Sequence, residues 1–194
     1  MISGARKLLF AVLVSSVSHL CHGETWSLQA LMQAMAQVPS SQARFVETRH
    51  IALLTHPVEL KGSLRYERPH RLAKHVQSPV DELLSVDGDA LTVFNRTKGE
   101  QHIISLREQP AAGALVASIR ATLAGDLAQL QKHYQAELSG SPAAWRLRLV
   151  PRDAQVKRHV ESITLTGADT RVQRIESVET SGDRSLMTIL HDGK

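Results

Sequence analysis

The sequence is poor in cysteine and in aromatic residues. Cys21 is the only cysteine among 194 residues, and phenylalanine, tryptophan and tyrosine together make up 4% of the chain. A single cysteine cannot form a disulfide within the chain, so the fold has to be stabilised by core packing. Redox chemistry on a pair of cysteines is excluded for the same reason.

Long apolar runs are missing too. The longest, Leu8–Val17, is shorter than the roughly 20 residues that a membrane-spanning helix needs. It follows the basic residues Arg6 and Lys7, an order that is typical of a secretory signal peptide. We therefore predict a chain that is exported to the periplasm as a soluble protein.

The residues after this run favour cleavage. Cys21 and Gly23 stand three and one residues before the predicted cut, which makes residues 1–23 a signal peptide. The alternative is a lipoprotein with a lipidated Cys21, which Leu20 and His19 disfavour because a lipoprotein signal has small residues at these positions. Residues 24–194 then form one cysteine-free domain, long enough to have its own core.

The charges are nearly balanced. The whole chain carries a formal net charge of +4, from 23 basic and 19 acidic residues. Residues 1–23 contain two of the basic residues and none of the acidic ones, which leaves +2 on residues 24–194. So small a charge gives no support to nucleic-acid binding, and we expect a monomer without a nucleic-acid partner.

Motifs of the common enzyme classes are also missing. The sequence contains no His-Glu-x-x-His metal motif, no Gly-x-Ser-x-Gly elbow and no glycine-rich phosphate or dinucleotide loop. A catalytic triad assembled from distant residues would leave no such signature, so it stays open. We predict a protein that is not an enzyme and that binds neither a metal nor a cofactor.

The spacing of apolar residues divides the chain into helices and strands. Trp26–Val38 has helical spacing, with Ser27 as its N-cap and Pro39 as its stop. Val58–Glu67 alternates between apolar and polar residues, which predicts a half-buried strand. Further short strands, separated by turn residues, are predicted at Leu72–Gln77, Glu82–Val86, Ala90–Asn95, Gln101–Leu106, Gln135–Leu138, Trp145–Val150, His159–Leu165, Val172–Thr180 and Leu186–His191.

The alanine-rich stretch Pro110–Tyr134 returns to helical spacing, with its large apolar residues in one stripe. Gly125-Asp126 divides it into two helices, the second capped by Asp126. Short strands joined by turns pair antiparallel with their neighbours. We therefore predict an α+β, mainly β fold, in which helices pack on the concave face of one curved antiparallel sheet of about nine or ten strands.

The segment from Gly62 to Asn95 contains the most specific pattern. Its order and spacing resemble those of the outer-membrane lipoprotein carrier family (the LolA type), whose first helix and strand also fit the preceding residues. The matching elements are, in order, Arg68-Pro69, Leu72, Gln77-Ser78-Pro79, Glu82, Leu83-Leu84 and Asp87-Gly88.

The resemblance implies a half-open β-barrel covered by a lid of helices, with cargo acyl chains held between sheet and lid. It also implies an inner-membrane transporter as donor and an outer-membrane acceptor. In the family, the arginine of the Arg-Pro pair bonds lid carbonyls and holds the empty carrier shut, and Arg68 matches it here. The ligand-binding residues implied with it are Phe45, Leu64, Tyr66, Leu72, Leu84, Val93, Leu115, Ile119 and Leu123.

For each of these residues the sequence leaves a plainer interpretation open. The apolar ones could simply pack in a core, and Arg68 could be a solvated arginine at a strand end. The chain also departs from the family, which often has an aromatic residue where Lys74 and Thr92 stand. The cargo could therefore be a lipoprotein, a free lipid or a polyene ester, and the alternative function is a sensor or chaperone-type module that docks a lipidated partner without transporting it.

The export signal gives a first testable prediction. The mature protein is expected to begin within a residue or two of Glu24, because Gly23 completes a cleavage site. It is expected to carry no lipid, because Leu20 stands where a lipoprotein signal has a small residue. Intact mass spectrometry of the secreted product measures this directly. A diacylated Cys21 would contradict the prediction and would place the protein on a membrane.

Overall fold

The computed structural model describes residues 26–191, so the predicted signal peptide lies outside the described residues. Four helices and eleven strands form within this part of the chain, with a short 3-10 turn at Leu106–Glu108. None of these helices is long and apolar enough to cross a membrane. The elements are α1 Leu28–Met35, β1 Ser40–His50, β2 Val58–Glu67, β3 Arg71–Ser78, β4 Glu82–Asp87, β5 Ala90–Asn95, β6 Glu100–Ser105, α2 Pro110–Ala124, α3 Leu127–His133, β7 Tyr134–Ser141, β8 Ala144–Pro151, α4 Ala154–Lys157, β9 Val160–Ala168, β10 Arg171–Glu179 and β11 Arg184–Leu190.

All eleven described strands pair antiparallel in one sheet, in the order β6-β5-β4-β3-β2-β1-β11-β10-β9-β8-β7. Strands β1 to β6 form one meander and β7 to β11 a second, and the two meet where β1 pairs with β11. Strands β6 and β7 are the two edges, so the sheet is curved but not closed. The predicted half-open barrel with a helical lid is confirmed, although the sheet has more strands than the predicted nine or ten.

Alternation along the strands produces one continuous inner face. On β2, Leu60, Gly62, Leu64 and Tyr66 share the inner face, while most of the polar residues between them are exposed. The register carries this face across the sheet, because Tyr66 lies opposite Leu72 and Gly62 opposite Phe45. Strand pairing therefore collects the apolar half of each strand on the concave side.

Helices cover this concave face. The buried side of α1 consists of Leu31, Met32 and Met35, which join the main hydrophobic core. Gly125 ends α2 in the left-handed conformation, with φ 68°, and a Cβ there would lie 2.2 Å from the carbonyl oxygen of Met32. Glycine is thus needed at this turn both for its φ angle and for the close approach of α1. The turn holds α2 and α3 against α1.

The N-caps of the helices agree with the sequence. The Ser27 hydroxyl accepts a hydrogen bond from the backbone N–H of Ala30 at 3.2 Å, and Asp126 accepts one from Gln129 at 3.0 Å. Each side chain accepts a hydrogen bond from a backbone N–H that has no partner within its helix.

One local prediction is wrong, and one element was missed. Tyr134 does not end the helical stripe, because α3 stops at His133 and Tyr134 begins β7. Helix α4 was not predicted at all. It is a single turn in which the Asp153 carboxylate accepts from the backbone N–H groups of Gln155 and Val156, and one turn is too short to show helical spacing.

Candidate functional site

A cavity of about 720 Å³ lies between the concave face of the sheet and the helices. The helical wall comes mainly from the apolar stripe of α2, namely Leu115, Ile119 and Leu123. The opposite wall comes from the inner faces of β1 to β5 and of β9 to β11. The cavity therefore lies where the family resemblance places the cargo site.

The composition of α2 explains why a cavity forms here. Its fully packed positions hold small residues, Ala114, Ser118, Ala121 and Thr122, each of which is buried. The Ser118 and Thr122 hydroxyls donate to carbonyls of their own helix, so neither needs a partner outside it. Because small side chains let α2 settle closely on that side, its larger apolar residues are left to face the cavity.

Seven of the ten predicted ligand-binding residues line this cavity, and three do not. Phe45 is 1% exposed and belongs to the core. Val93 lies opposite Leu84 in the β4–β5 pair but is not part of the lining. Arg68 is exposed in the turn after β2. The seven lining residues are Leu64, Tyr66, Leu72, Leu84, Leu115, Ile119 and Leu123.

The expected latch from Arg68 to the lid has no counterpart within residues 26–191. The backbone N–H of Arg68 donates to the carbonyl of Pro39 at 3.0 Å, but its guanidinium makes no hydrogen bond to a lid carbonyl in that range. The role implied for Arg68 stays a prediction.

Two other side chains bond the lid to the sheet. The Tyr134 hydroxyl at the start of β7 donates to the carbonyl of Ala114 in α2 at 2.6 Å. Arg120 of α2 donates to the carbonyl of Gly88, in the turn between β4 and β5, also at 2.6 Å. Burial raises the pKa of Tyr134 far above its ordinary value, so its hydroxyl remains a donor at any physiological pH. These two bonds join α2 to β7 and to the turn between β4 and β5.

A charged cluster, formed by Glu47, Arg49 and Lys74, lines one part of the cavity. The Glu47 side chain is 4% exposed and accepts hydrogen bonds from the Lys74 ammonium, from Arg49 Nε at 2.8 Å and from the Ser185 hydroxyl at 2.7 Å. The Lys74 ammonium also lies 4.8 Å from the centre of the Phe45 ring, a cation–π distance. The carboxylate thus accepts three hydrogen bonds, while both cations keep N–H groups that have no partner among residues 26–191.

Strand geometry makes room for this cluster. Gly62 lies opposite Phe45, and a Cβ at Gly62 would meet the Phe45 ring at 3.0 Å and the carbonyl oxygen of His75 at 1.8 Å. Glycine lets the ring lie against β2, and Lys74 of β3 reaches over it.

The pKa values of the pair follow from burial and charge. Burial acts to raise the pKa of Glu47, but the charges of Lys74 and Arg49 outweigh it and hold that pKa below its usual value. Burial lowers the pKa of Lys74, and the charge of Glu47 partly offsets this effect. Each group depends on the other for its charged state, because an unpaired charge in this position would be poorly solvated.

Tyr66 adds one unpaired polar atom to the cavity wall. The residue is 2% exposed, and its hydroxyl has no hydrogen-bond partner within residues 26–191. Burial raises the pKa of Tyr66, while the charge of Arg68 opposes the rise. Tyr66 thus lines the cavity, and its neutral hydroxyl is buried without a partner among residues 26–191.

The charged cluster was missed as a site from the sequence. One signal could have found it. Lys74 stands where the family often has an aromatic residue, and alternation on β3 places it on the same face as Leu72. Likewise Phe45, Glu47 and Arg49 are two residues apart on β1, so they lie on the same face of the strand. A charged residue on the apolar face of a predicted strand marks a candidate functional position.

Comparison with protein families gives one extensive match. The model of the family described as outer membrane lipoprotein carrier protein LolA-like matches residues 21–192. No curated protein sequence matches the chain.

Solved structures with a similar chain path have low sequence identity. A LolA superfamily protein from Nitrosomonas europaea is 13% identical, with a TM-score of 0.45, over 87% of this chain and 96% of the other. An uncharacterized conserved protein from Thermus thermophilus is 11% identical, with a TM-score of 0.49, over 87% and 90%. The Pseudomonas aeruginosa MucA/MucB complex is 11% identical, with a TM-score of 0.44, over 84% and 55%. Likeness at this level carries no information about what the chain binds.

The charged cluster gives a prediction about pH. The pKa of Glu47 in the folded protein is lower than its ordinary value of 4.5. Its ion pairs therefore stabilise the fold fully above about pH 4.5, and this stabilisation is lost as the pH falls through the lowered pKa of the folded protein. Glu47→Gln should cost roughly 3 kcal/mol at pH 7, because it leaves Lys74 buried without its partner. It should also flatten the decline in thermal stability below pH 4.5.

Glu59→Gln is the matched control. Glu59 pairs with Lys61 at 2.8 Å on the outer face of β2, where both side chains are more than half exposed. Thermal melts of both variants from about pH 7 to about pH 3 should show a large effect only for Glu47. If wild type and Glu47→Gln lose stability in parallel over this range, the buried ion pair does not stabilise the fold.

Proposed function

Because the chain belongs to the outer membrane lipoprotein carrier protein LolA-like family, we propose that it is a periplasmic carrier. It binds the acyl chains of a lipoprotein or another lipid between lid and sheet and carries them from the inner towards the outer membrane. The observation that supports this most is the 720 Å³ cavity beneath α2.

The character of the lining fits acyl chains. Leu115, Ile119 and Leu123 contribute the lid side, and Leu64 and Leu72 contribute the sheet side. The volume is within the range of roughly 300–1,000 Å³ that small-molecule sites occupy. An apolar cavity of this size inside a folded domain leaves hydrophobic side chains without packing partners, and a bound acyl chain would supply them.

Energetics explain why a carrier needs a lid. Burial of one 16-carbon chain, at about 0.8 kcal/mol per methylene, contributes roughly 13 kcal/mol gross. Two such chains would exceed the practical limit of roughly 20 kcal/mol for reversible binding. A lid that is stable when closed and empty offsets part of this energy, because cargo has to open it. The hydrogen bonds that Tyr134 and Arg120 make between α2 and the sheet are of the kind that such an opening would break.

The remaining parts of the proposal follow the family. The donor is an inner-membrane transporter, the acceptor lies at the outer membrane, and the carrier acts as a monomer. Catalysis, a cofactor and a metal are not required for any of these steps. The two bonds connect α2 to β7 and to the turn between β4 and β5, so opening would have to move α2 relative to these elements.

The cavity is tested with matched substitutions on each wall. Purified, delipidated protein should bind a fluorescent 16-carbon fatty acid at micromolar concentration or tighter. Ile119→Glu on α2 and Leu84→Glu on β4 should each weaken binding by about tenfold or more, because each places a charge in an apolar cavity. Ala117→Glu and Leu83→Glu are the controls, since both positions are exposed on the same two elements.

The results separate carrier from docking module. Unchanged affinity in folded Ile119→Glu and Leu84→Glu variants would place the lipid site elsewhere. Failure of wild type to bind the probe would favour a module that docks a lipidated partner. If the probe binds but does not transfer to acceptor vesicles, the binding part of the proposal survives and the carrier part fails.

A further inference from the structure

Two cavities of the molecule share a charged wall. Besides the large cavity, a second pocket of about 170 Å³ lies against β3 and β4. Arg49, Lys74 and Leu84 line both of them. The charged cluster is therefore the junction between a large, mainly apolar space and a small one.

The small pocket reaches the protein surface. Pro79 and Val80 of the turn between β3 and β4 form part of its wall, and Val80 is 44% exposed. A molecule with one apolar and one polar end could thus place its chain in the large cavity and its polar end at the junction, close to solvent.

Both cations at the junction keep unused hydrogen-bond donors. Only Nε of Arg49 is engaged within residues 26–191, which leaves the N–H groups of both terminal guanidinium nitrogens without a partner there. The Arg49 side chain is 45% exposed, so a ligand can reach it. The Lys74 ammonium has three donors and gives one to Glu47. A planar guanidinium edge beside an ammonium suits a carboxylate or a phosphate oxygen pair.

Stability alone does not explain these residues. A buried ion pair contributes little or nothing to stability compared with apolar residues of the same volume. Lys74 is 17% exposed and lies on the wall of a cavity that is otherwise suited to hydrocarbon. A buried ionisable cluster in a cleft, with its charges maintained by mutual pairing, is the arrangement found at ligand sites.

Three carboxylates limit the charge that the junction can accept. Glu47 already bonds both cations, Glu82 lines the small pocket, and Glu179 lies close enough to Arg49 for that charge to act on its pKa. Burial, together with Asp183, raises the pKa of Glu179. With so many negative groups at hand, a ligand with two or more negative charges would be repelled.

We infer that the carrier recognises amphiphiles with a single negative charge in the headgroup, and that Arg49 and Lys74 bind that anion while the acyl chain occupies the large cavity. This inference rests on the proposed function and specifies its cargo. The same chemistry is present in the carboxylate of a free fatty acid and in the phosphodiester of a lipid headgroup.

The test compares ligands that share one chain. Delipidated protein is titrated with palmitate, with palmitoyl lysophosphatidylglycerol and with neutral monopalmitoylglycerol, each by displacement of the fluorescent fatty acid. At least one anionic ligand should bind about tenfold more tightly than the neutral one, as expected for one or two charge-assisted hydrogen bonds. Which anionic ligand binds more tightly identifies the headgroup source.

The variants locate the anion. Arg49→Gln should lower the ratio of anionic to neutral affinity from about tenfold to near one, because only the anionic ligands use the terminal N–H groups of Arg49. The double variant Glu47→Gln, Lys74→Met should do the same, and it avoids leaving either partner charged and alone in a buried position. Lys61→Gln, on the outer face of β2, is the control for the change in net charge, and its preference should match that of wild type.

Three results would overturn the inference. Equal affinity of wild type for charged and neutral ligands leaves the carrier intact but removes the headgroup site. A preference that survives in both Arg49→Gln and the double variant excludes the junction. A preference for anionic ligands that is lost in Arg171→Gln instead places the headgroup at the start of β10. That position lies about 20 Å along β10 from Ser177, which pairs with Ser185, the neighbour of Arg49. Failure of all three ligands to bind, by contrast, would sink the proposed function itself.

Discussion

The concave face of an unclosed sheet has to be covered, and the rest of the structure depends on that constraint. Pairing of β1 with β11 joins two meanders into one curved sheet, but the edges β6 and β7 do not meet. The apolar inner face is then too wide for the side chains of the sheet to fill, so the helices must bury it. The small residues of α2 pack closely in the core, whereas its large apolar residues face the sheet across a gap. This gap is the cavity.

The same constraint explains the charged cluster. Glu47 and Lys74 face the concave side, where water is scarce, and each is tolerated because the other is present. Their position between the large cavity and a small surface pocket gives the apolar space one polar end. In the proposed carrier, the apolar space holds the hydrocarbon of the cargo and the polar end fixes the position of its headgroup.

Local signals in the sequence were enough for most of the fold. The alternation from Val58 to Glu67 defined β2 to the residue, and Gly125-Asp126 correctly divided the lid. The site was harder to predict from the sequence, because its composition depends on which strands become neighbours in the sheet. Nothing local indicates that Lys74 meets Glu47, 27 residues earlier in the chain, and a lysine in a strand is usually taken as a surface residue. Phe45 was expected in the cavity but is buried in the core, where Lys74 lies over its ring.

The central claim is that the space between lid and sheet holds an acyl chain in the cell. Mass spectrometry of organic extracts from protein purified out of its native periplasm, without detergent, tests this most directly. We expect one class of acyl lipid, or lipidated peptide, in near-stoichiometric amount and with its acyl chains intact. Extracts that contain no acyl compound above the level found for an unrelated periplasmic protein would contradict it.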